Sequence, residues 1–331
     1  MPSSFTHDVV TIGSAMVDEF AMSPGFELKK NRHAPDGFDA CVPLGAKVSL
    51  DDLRTDTGGG ATNAVVTFRR LGFKSASIFR VGDDLFGDLV VKRLREENVD
   101  VSLVQRDAKY PTGRSLIFVS GHGWRSILMH RGANDSLDPK KIPWKRLLPR
   151  WFYVTGLGGR LGALSLLLTR AEAVGSHVAW NPGRGELEKG LSRLTSFINR
   201  TDILILNREE AAMLARKPPR HLRQVIDVLS PLPKIALVVS DGSRGAYLTS
   251  CGKTWFCPAL PGTRVNTTGA GDALGSGLVA GFLQTCDLSV AFKVGMLNAT
   301  GVVTHMGAKT GILRAWPTSR ELTRVKIRLA K

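Results

Sequence analysis

Residues 265–283 read Val-Asn-Thr-Thr-Gly-Ala-Gly-Asp-Ala-Leu-Gly-Ser-Gly-Leu-Val-Ala-Gly-Phe-Leu, and they hold the residue types best placed to do chemistry. The front half is polar and glycine-rich. The back half has Leu274, Leu278 and Phe282 at fourfold spacing beside Val279, the pattern of a buried helix. A loop running into a helix aims several unpaired backbone N–H groups and a positive dipole end at one point, which suits a phosphate. Gly269, Ala270 and Gly271 would form that anion hole, the two glycines letting the main chain come close. Asp272 falls in the first turn. A carboxylate beside an anion hole repels the anion, unless its task is to take a proton from a hydroxyl that attacks phosphorus. The same residues would also serve as a plain turn before a helix, with Asp272 facing the dipole. Gly275, Gly277 and Gly281 weigh against that, because each costs a helix about 1 kcal/mol relative to Ala. Such a series implies close packing on a neighbouring backbone or ligand.

The elements that must position this stretch alternate. Residues 8–14 read as a short buried strand ending in Gly-Ser, with Asp18 four residues on. Open α/β sheets bind ligands at strand ends. Residues 19–56 are irregular and proline-bearing, with a short apolar alternation at 46–50, and suit a small β excursion. Thr57-Gly58-Gly59-Gly60-Ala61-Thr62-Asn63 precedes a helical pattern through Val65, Phe68 and Leu71, closed by Gly72. A helix over 89–98 and a strand over 99–104 follow. Strands at 114–120 and 126–130 flank a hairpin turn at 121–125. Its His122 and His130 lack a partner at metal spacing and read as exposed. From Trp151 the spacing predicts strands at 152–156, 177–181, 202–207 and 235–240, with helices at 161–175, 187–198, 209–215 and 222–229. A last helix spans 289–304. This alternation predicts a mostly parallel sheet covered on both faces. No linker or repeat divides the 331 residues, so one domain is expected.

Composition narrows the function classes. The chain has 45 Lys+Arg against 29 Asp+Glu, a difference of +16. The basic residues are spread out and form no aromatic-interleaved stripe, so the expectation is a solvated basic surface and no nucleic-acid role. A nucleic-acid binder stays open as an alternative, marked by a steep loss of affinity with salt. No run of eighteen apolar residues suggests a membrane span, and the start lacks a signal-peptide pattern. Cys41, Cys251, Cys257 and Cys286 fit no zinc spacing, and reduced thiols in a cytoplasm are expected. There is no P-loop motif and no protein-kinase motif.

Asn266-Thr267-Thr268-Gly269-Ala270-Gly271-Asp272 resembles the C-terminal motif of the ribokinase-like (PfkB) carbohydrate and nucleoside kinases, Asp-Thr-x-Gly-Ala-Gly-Asp, with Asn266 at its first position. Gly59, Asn63 and Val81-Gly82-Asp83-Asp84-Leu85-Phe86-Gly87 resemble the N-terminal motif. The resemblance spans nearly the whole chain. It implies a three-layer α/β/α domain with a small β lid from residues 18–57 and 108–131. It also implies ATP with Mg²⁺ as cofactors, in some members a monovalent cation such as K⁺, and a sugar or nucleoside acceptor. By the same resemblance Asp272 is the base, and Asp18, Gly59, Asn63 and Asn134 contact the acceptor. Asn207, Ser240, Gly242, Gly245 and Asn298 contact the nucleotide, and Glu210 orders magnesium. Arg184 and Arg244 would add positive charge near the phosphates or lie on the surface. Two further readings remain: a kinase of sugar phosphates, which the basic charge favours, and a catalytically weak relative that binds sugar or nucleotide. A homodimer would cover the exposed edges of the lid sheet.

Overall fold

A computed structural model describes residues 5–23, 25, 27–32, 37–42, 44–119 and 125–330. The first strand, His7–Ile12, shows how the molecule is built. Val9, Val10, Thr11 and Ile12 are all buried, as a strand covered on both faces requires. It pairs in parallel with Pro149–Val154 on one side and Ser75–Ile78 on the other. Parallel pairing continues outward from Pro149–Val154 through His177–Trp180, Ile203–Asn207 and Ala236–Ser240. Antiparallel strands Gly245–Ser250, Lys253–Pro258 and Arg328–Leu329 finish a nine-stranded sheet. The C-terminal ends of its parallel strands therefore gather Gly13, Thr155, Asn207 and Ser240 along one rim.

Alternate residues of each strand serve two cores. Phe152 and Val154 face helices Leu161–Val174, Leu191–Ile198, Arg208–Ala215 and Leu222–Leu229. Trp151 and Tyr153 face helices Gly60–Arg70, Ala270–Thr285 and Leu288–Val303. The expected three-layer α/β/α architecture with a mostly parallel sheet is present. Among the described residues no helix is long and apolar enough to cross a membrane.

The helix glycines pack on backbone. A Cβ on Gly277 would lie 3.0 Å from Gly295 Cα, and one on Gly281 would lie 2.6 Å from Ala291 Cα. Helices Ala270–Thr285 and Leu288–Val303 thus approach closer than side chains would allow, which locks the base of the Asp272 helix. Two effects compete in Gly281→Ala. Helix propensity gains about 1 kcal/mol. Overpacking against backbone that cannot yield costs about 1–3 kcal/mol. The clash wins: the variant is expected to melt a few degrees lower, and an unchanged or higher Tm would contradict the packing argument.

A second sheet has the order Arg125–His130, Gly113–Val119, Met16–Met22, Asp52–Gly58. Met16–Met22 runs parallel to Gly113–Val119 and antiparallel to Asp52–Gly58. A two-stranded ribbon, Glu27–Lys30 with Phe38–Cys41, extends from it. The turn at 120–124, with His122, lies outside the described residues, whereas His130 is exposed on its strand.

Two local expectations fail. Residues 99–104 form no strand: only Asp100 touches the sheet, in an isolated bridge to Ala76, and the strand that follows is Gln105–Asp107. The helix expected over 187–198 is broken, because Gly190 adopts φ 80° between Arg184–Leu187 and Leu191–Ile198. The small β excursion expected over 19–56 is present in Glu27–Lys30, Phe38–Cys41 and Asp52–Gly58, with residues 46–50 outside these strands.

Candidate active site

The turn before Asp272 is held at both ends. Val265 and Asn266 donate their backbone N–H groups to Val303 O at 2.8 and 3.2 Å, tying the turn to the end of the neighbouring helix. Asn266 Oδ1 accepts from Thr268 N at 2.9 Å, a side-chain-closed turn that the amide makes as well as a carboxylate would. Gly269 caps the helix with φ 79°, and a Cβ there would meet Ala308 Cβ at 2.7 Å. Gly271 and Asp272, second and third in the helix, carry amides with no intrahelical acceptor. A Cβ on Gly271 would meet nothing within 4 Å, so the cleft over this helix start is open.

Asp272 stands at the floor of that cleft. Its Oδ2 accepts from Asn63 Nδ2 at 2.8 Å. Burial pushes the Asp272 carboxyl above its ordinary value of 3.8, against the pull of Asn63 and Lys309. Asn63 is buried on the first turn of Gly60–Arg70, and among the described residues its Oδ1 has no hydrogen-bond partner. The start of this helix docks on the end of the first strand: Gly60 N donates to Ser14 Oγ at 3.1 Å, and a Cβ on Gly59 would strike Ser14 O at 2.5 Å.

Asp18 does not hang off a strand end. It lies within Met16–Met22, opposite Asp56 in one ladder and Ser115 in the other, and is 6% exposed. Burial pushes its carboxyl up, and the Asp56 and Asp272 charges push the same way; Lys309 and the Ser115 hydroxyl pull it down.

Beyond Gly271 the cleft continues between the sheet rim and the last two long helices. Ser240, Gly242, Gly245, Arg264, Thr267 and Ala270 supply its polar side, and Leu260, Met296, Ala299 and Val303 its apolar side. Gly245 has φ 128°, and any Cβ there would collide with Cys257 O. Arg264 donates to Ser243 O at 3.1 Å and lines the cleft.

Several expected contacts have other tasks. Asn134 spends its amide on backbone: Oδ1 accepts from Ala15 N at 2.8 Å, and Nδ2 donates to Ala15 O and Arg131 O. It stitches the second sheet to the core. Asn298 is fully buried and off the cleft, with Nδ2 on Thr67 Oγ1 and Ala273 O and Oδ1 on Leu313 N. It braces three helices. Arg244 and Arg208 both bind Asp241, and Arg184 pairs with Glu188 at the surface. Asn207 caps its helix reciprocally with Glu210: Oδ1 accepts from Glu210 N, and Asn207 N donates to Glu210 Oε2, both at 2.8 Å. Burial pushes the Glu210 carboxyl up, and the negative field of Asp272 adds to this.

Two functional candidates were not legible from the sequence: Arg264 and Lys309. Lys309 is buried, and its ammonium donates to Thr57 O. Burial pushes it down to about 8, while Asp56, Asp18 and Asp272 resist that fall. A lysine just past Gly307-Ala308, in a chain with 45 Lys and Arg, carries no local mark of a buried role.

Comparisons with known proteins agree with this geometry. The sequence profile of the pfkB family carbohydrate kinases matches residues 6–315. A fructokinase from Klebsiella pneumoniae is 28% identical over 288 residues, 78% of this chain and 91% of that protein. The nucleoside kinase of Methanocaldococcus jannaschii, a crystal structure, superposes with a TM-score of 0.76 at 20% identity, covering 96% of this chain and 97% of its own. A putative ribokinase II from E. coli, solved with ATP and Mg²⁺, gives a TM-score of 0.76 at 21% identity over 92% of this chain and 95% of its own. The chain belongs to the pfkB family of carbohydrate kinases, and so is a sugar or nucleoside kinase.

Proposed function

We propose that this kinase transfers the γ-phosphoryl group of ATP to a hydroxyl of an uncharged sugar or nucleoside. In the step, the acceptor oxygen bonds to the γ-phosphorus, the bond to the β–γ bridging oxygen breaks, ADP leaves, and Asp272 takes the hydroxyl proton. The helix-start amides at Gly269–Asp272 receive the charge on the transferring group. The observation that carries this reading is the Asp272 carboxylate, held by Asn63 and set in the first turn of a helix whose start is open. Asn63 and Asp18 suit acceptor hydroxyls, with Gly59 giving the backbone room beneath them. The cleft past Gly271 suits the nucleotide, its polar rim at Ser240, Gly242 and Gly245 toward phosphates and its apolar wall toward the base. The second sheet, with residues about 18–57 and 108–131, would act as the lid.

The residues present fit magnesium. Among the described residues no group of three His, Cys, Asp or Glu could cage a metal. Mg²⁺ does not need one: it keeps several waters and takes one or two carboxylates plus substrate phosphates. Glu210 commits only Oε2 to its helix cap, which leaves Oε1 for a hydrated ion. When bound, the ion would neutralise charge on the triphosphate oxygens.

The acceptor side argues against a phosphorylated substrate. Among the described residues Lys309 is the cation whose charge meets Asp18, Asp56 and Asp272, so a phosphate there faces three carboxyl groups against one ammonium. The free thiols suit a reducing cytoplasm. The test is Mg²⁺-dependent ATP consumption over free sugars, nucleosides and sugar phosphates. Turnover confined to sugar phosphates overturns the acceptor class, and no turnover at all with ATP bound overturns the enzyme. A pH profile tests the base. Because burial raises the Asp272 carboxyl, kcat/KM should fall as pH drops through a value above 3.8. An acid limb at or below 3.8 removes Asp272 from that role.

A further inference from the structure

Lys309 is a buried, charged side chain at the site that the phosphoryl-transfer scheme above leaves without a task. We propose that it is a positioning residue: its ammonium fastens the lid strand to the loop beneath the anion hole and lets Asp18, Asp56 and Asp272 share one cleft as carboxylates. The inference rests on the kinase reading given above.

The geometry runs through neighbours on both sides of Lys309. Its ammonium donates to Thr57 O, near the end of lid strand Asp52–Gly58 and next to Asp56. The preceding Ala308 packs on Gly269, the cap of the Asp272 helix, and a Cβ on Gly307 would collide with Asp56 Oδ2. From behind, Arg70 Nη1 donates to Lys309 O at 2.8 Å and to Ile312 O at 3.1 Å, while its Nη2 pairs with Glu97. The loop is thus anchored to Gly60–Arg70, the helix that carries Asn63. Lid strand, acceptor helix and anion hole meet at one cation.

Charge gives the cation its task. Lys309 feels the charges of Asp56 from Asp52–Gly58, Asp18 from Met16–Met22, Asp272 from Ala270–Thr285 and Glu97. Asp272 in turn faces Asn63, Lys309, Asp18, Glu210 and the Tyr153 hydroxyl. Three carboxylates crowded without a counter-charge would hold protons at neutral pH, and a protonated Asp272 is no base. The buried ammonium opposes that. Burial lowers Lys309 to about 8, so its charge, and the support it gives, should fade on the alkaline side.

The test compares full-length wild type, Lys309→Met, Lys309→Arg, Asp56→Asn and the Lys309→Met/Asp56→Asn double variant. Two readouts are used: kcat and KM against pH, and carboxyl titrations followed by NMR on 13C-labelled aspartate, which need no turnover. Lys309→Met should move the acid limb of kcat/KM, and the Asp272 midpoint, up by about one pH unit or more. Lys309→Arg should keep the acid limb and lose the alkaline fall near pH 8, since a guanidinium stays charged. Asp56→Asn alone should move the Asp18 midpoint down, and in the double variant it should restore much of the Asp18 shift that Lys309→Met causes. A lysine that merely tied Thr57 O in place would not be rescued by removing a carboxylate. Unmoved limbs and midpoints in Lys309→Met, or no rescue in the double variant, overturn the proposal. If Lys309→Met fails to fold, an unmoved Asp18 midpoint in Asp56→Asn together with an alkaline fall near pH 8 that persists in Lys309→Arg does the same. Midpoints that move while no acceptor is turned over would leave the positioning role intact and sink the kinase reading instead.

Discussion

Asp272→Asn is expected to lower kcat by about a hundredfold to ten-thousandfold, the span of a positioned general base, while ATP and acceptor still bind. The amide is isosteric and can still bond Asn63, so the acceptor pocket keeps its shape. What goes is the lone pair that receives the proton. Removal of the negative charge works the other way on binding, since the cleft then repels the triphosphate less. Binding should therefore hold or tighten while turnover collapses, a loss confined to the transition state. Single-turnover rates alongside calorimetric ATP binding separate the two quantities. Near-normal turnover in this variant would take the proton-acceptor role away from Asp272.

Gly269→Ala should be nearly as damaging for a different reason. At φ 79° an L-residue costs about 1–2 kcal/mol. The added Cβ would also meet Ala308 Cβ at 2.7 Å, with Ala308 Cα and O close behind. The turn can relieve this only by shifting the amides of Ala270, Gly271 and Asp272 together. A displacement of about 1 Å at a reacting centre costs about a hundredfold in rate. The expected outcome is a kcat loss of about that size with only a small drop in Tm, because the strain sits in a solvent-facing turn. A large loss of Tm with normal kcat in the remaining folded protein would show that the glycine serves the fold and not the anion hole.

Much of this site was legible in the sequence because its signals are local. Glycine before a helix, Asn or Thr closing a turn, and an acid in the first turn all lie within a few residues of one another. They placed the Asp272 helix start, the Gly59–Asn63 helix start and the Asn207–Glu210 cap where the structure has them. Residues 99–104 and 187–198 misled for a matching reason. Their apolar spacing is real, but one segment was claimed by a crossing connection and the other broken by a left-handed glycine, Gly190. Asn134 and Asn298 carried the right residue type at motif positions, yet an amide looks the same in sequence whether it meets ligand or backbone.

By itself the sequence determined the α/β alternation, the two glycine-led helix starts and the proposed base, since each depends on spacing that chain geometry turns directly into shape. Only the tertiary structure decided which charges share a cleft. Asn63 and Asp272 meet across 209 residues, and Lys309 and Thr57 across 252. Burial then shifts the proton affinity of Asp18, Asp272 and Lys309, because desolvation depends on everything packed around a group and not on its neighbours in the chain.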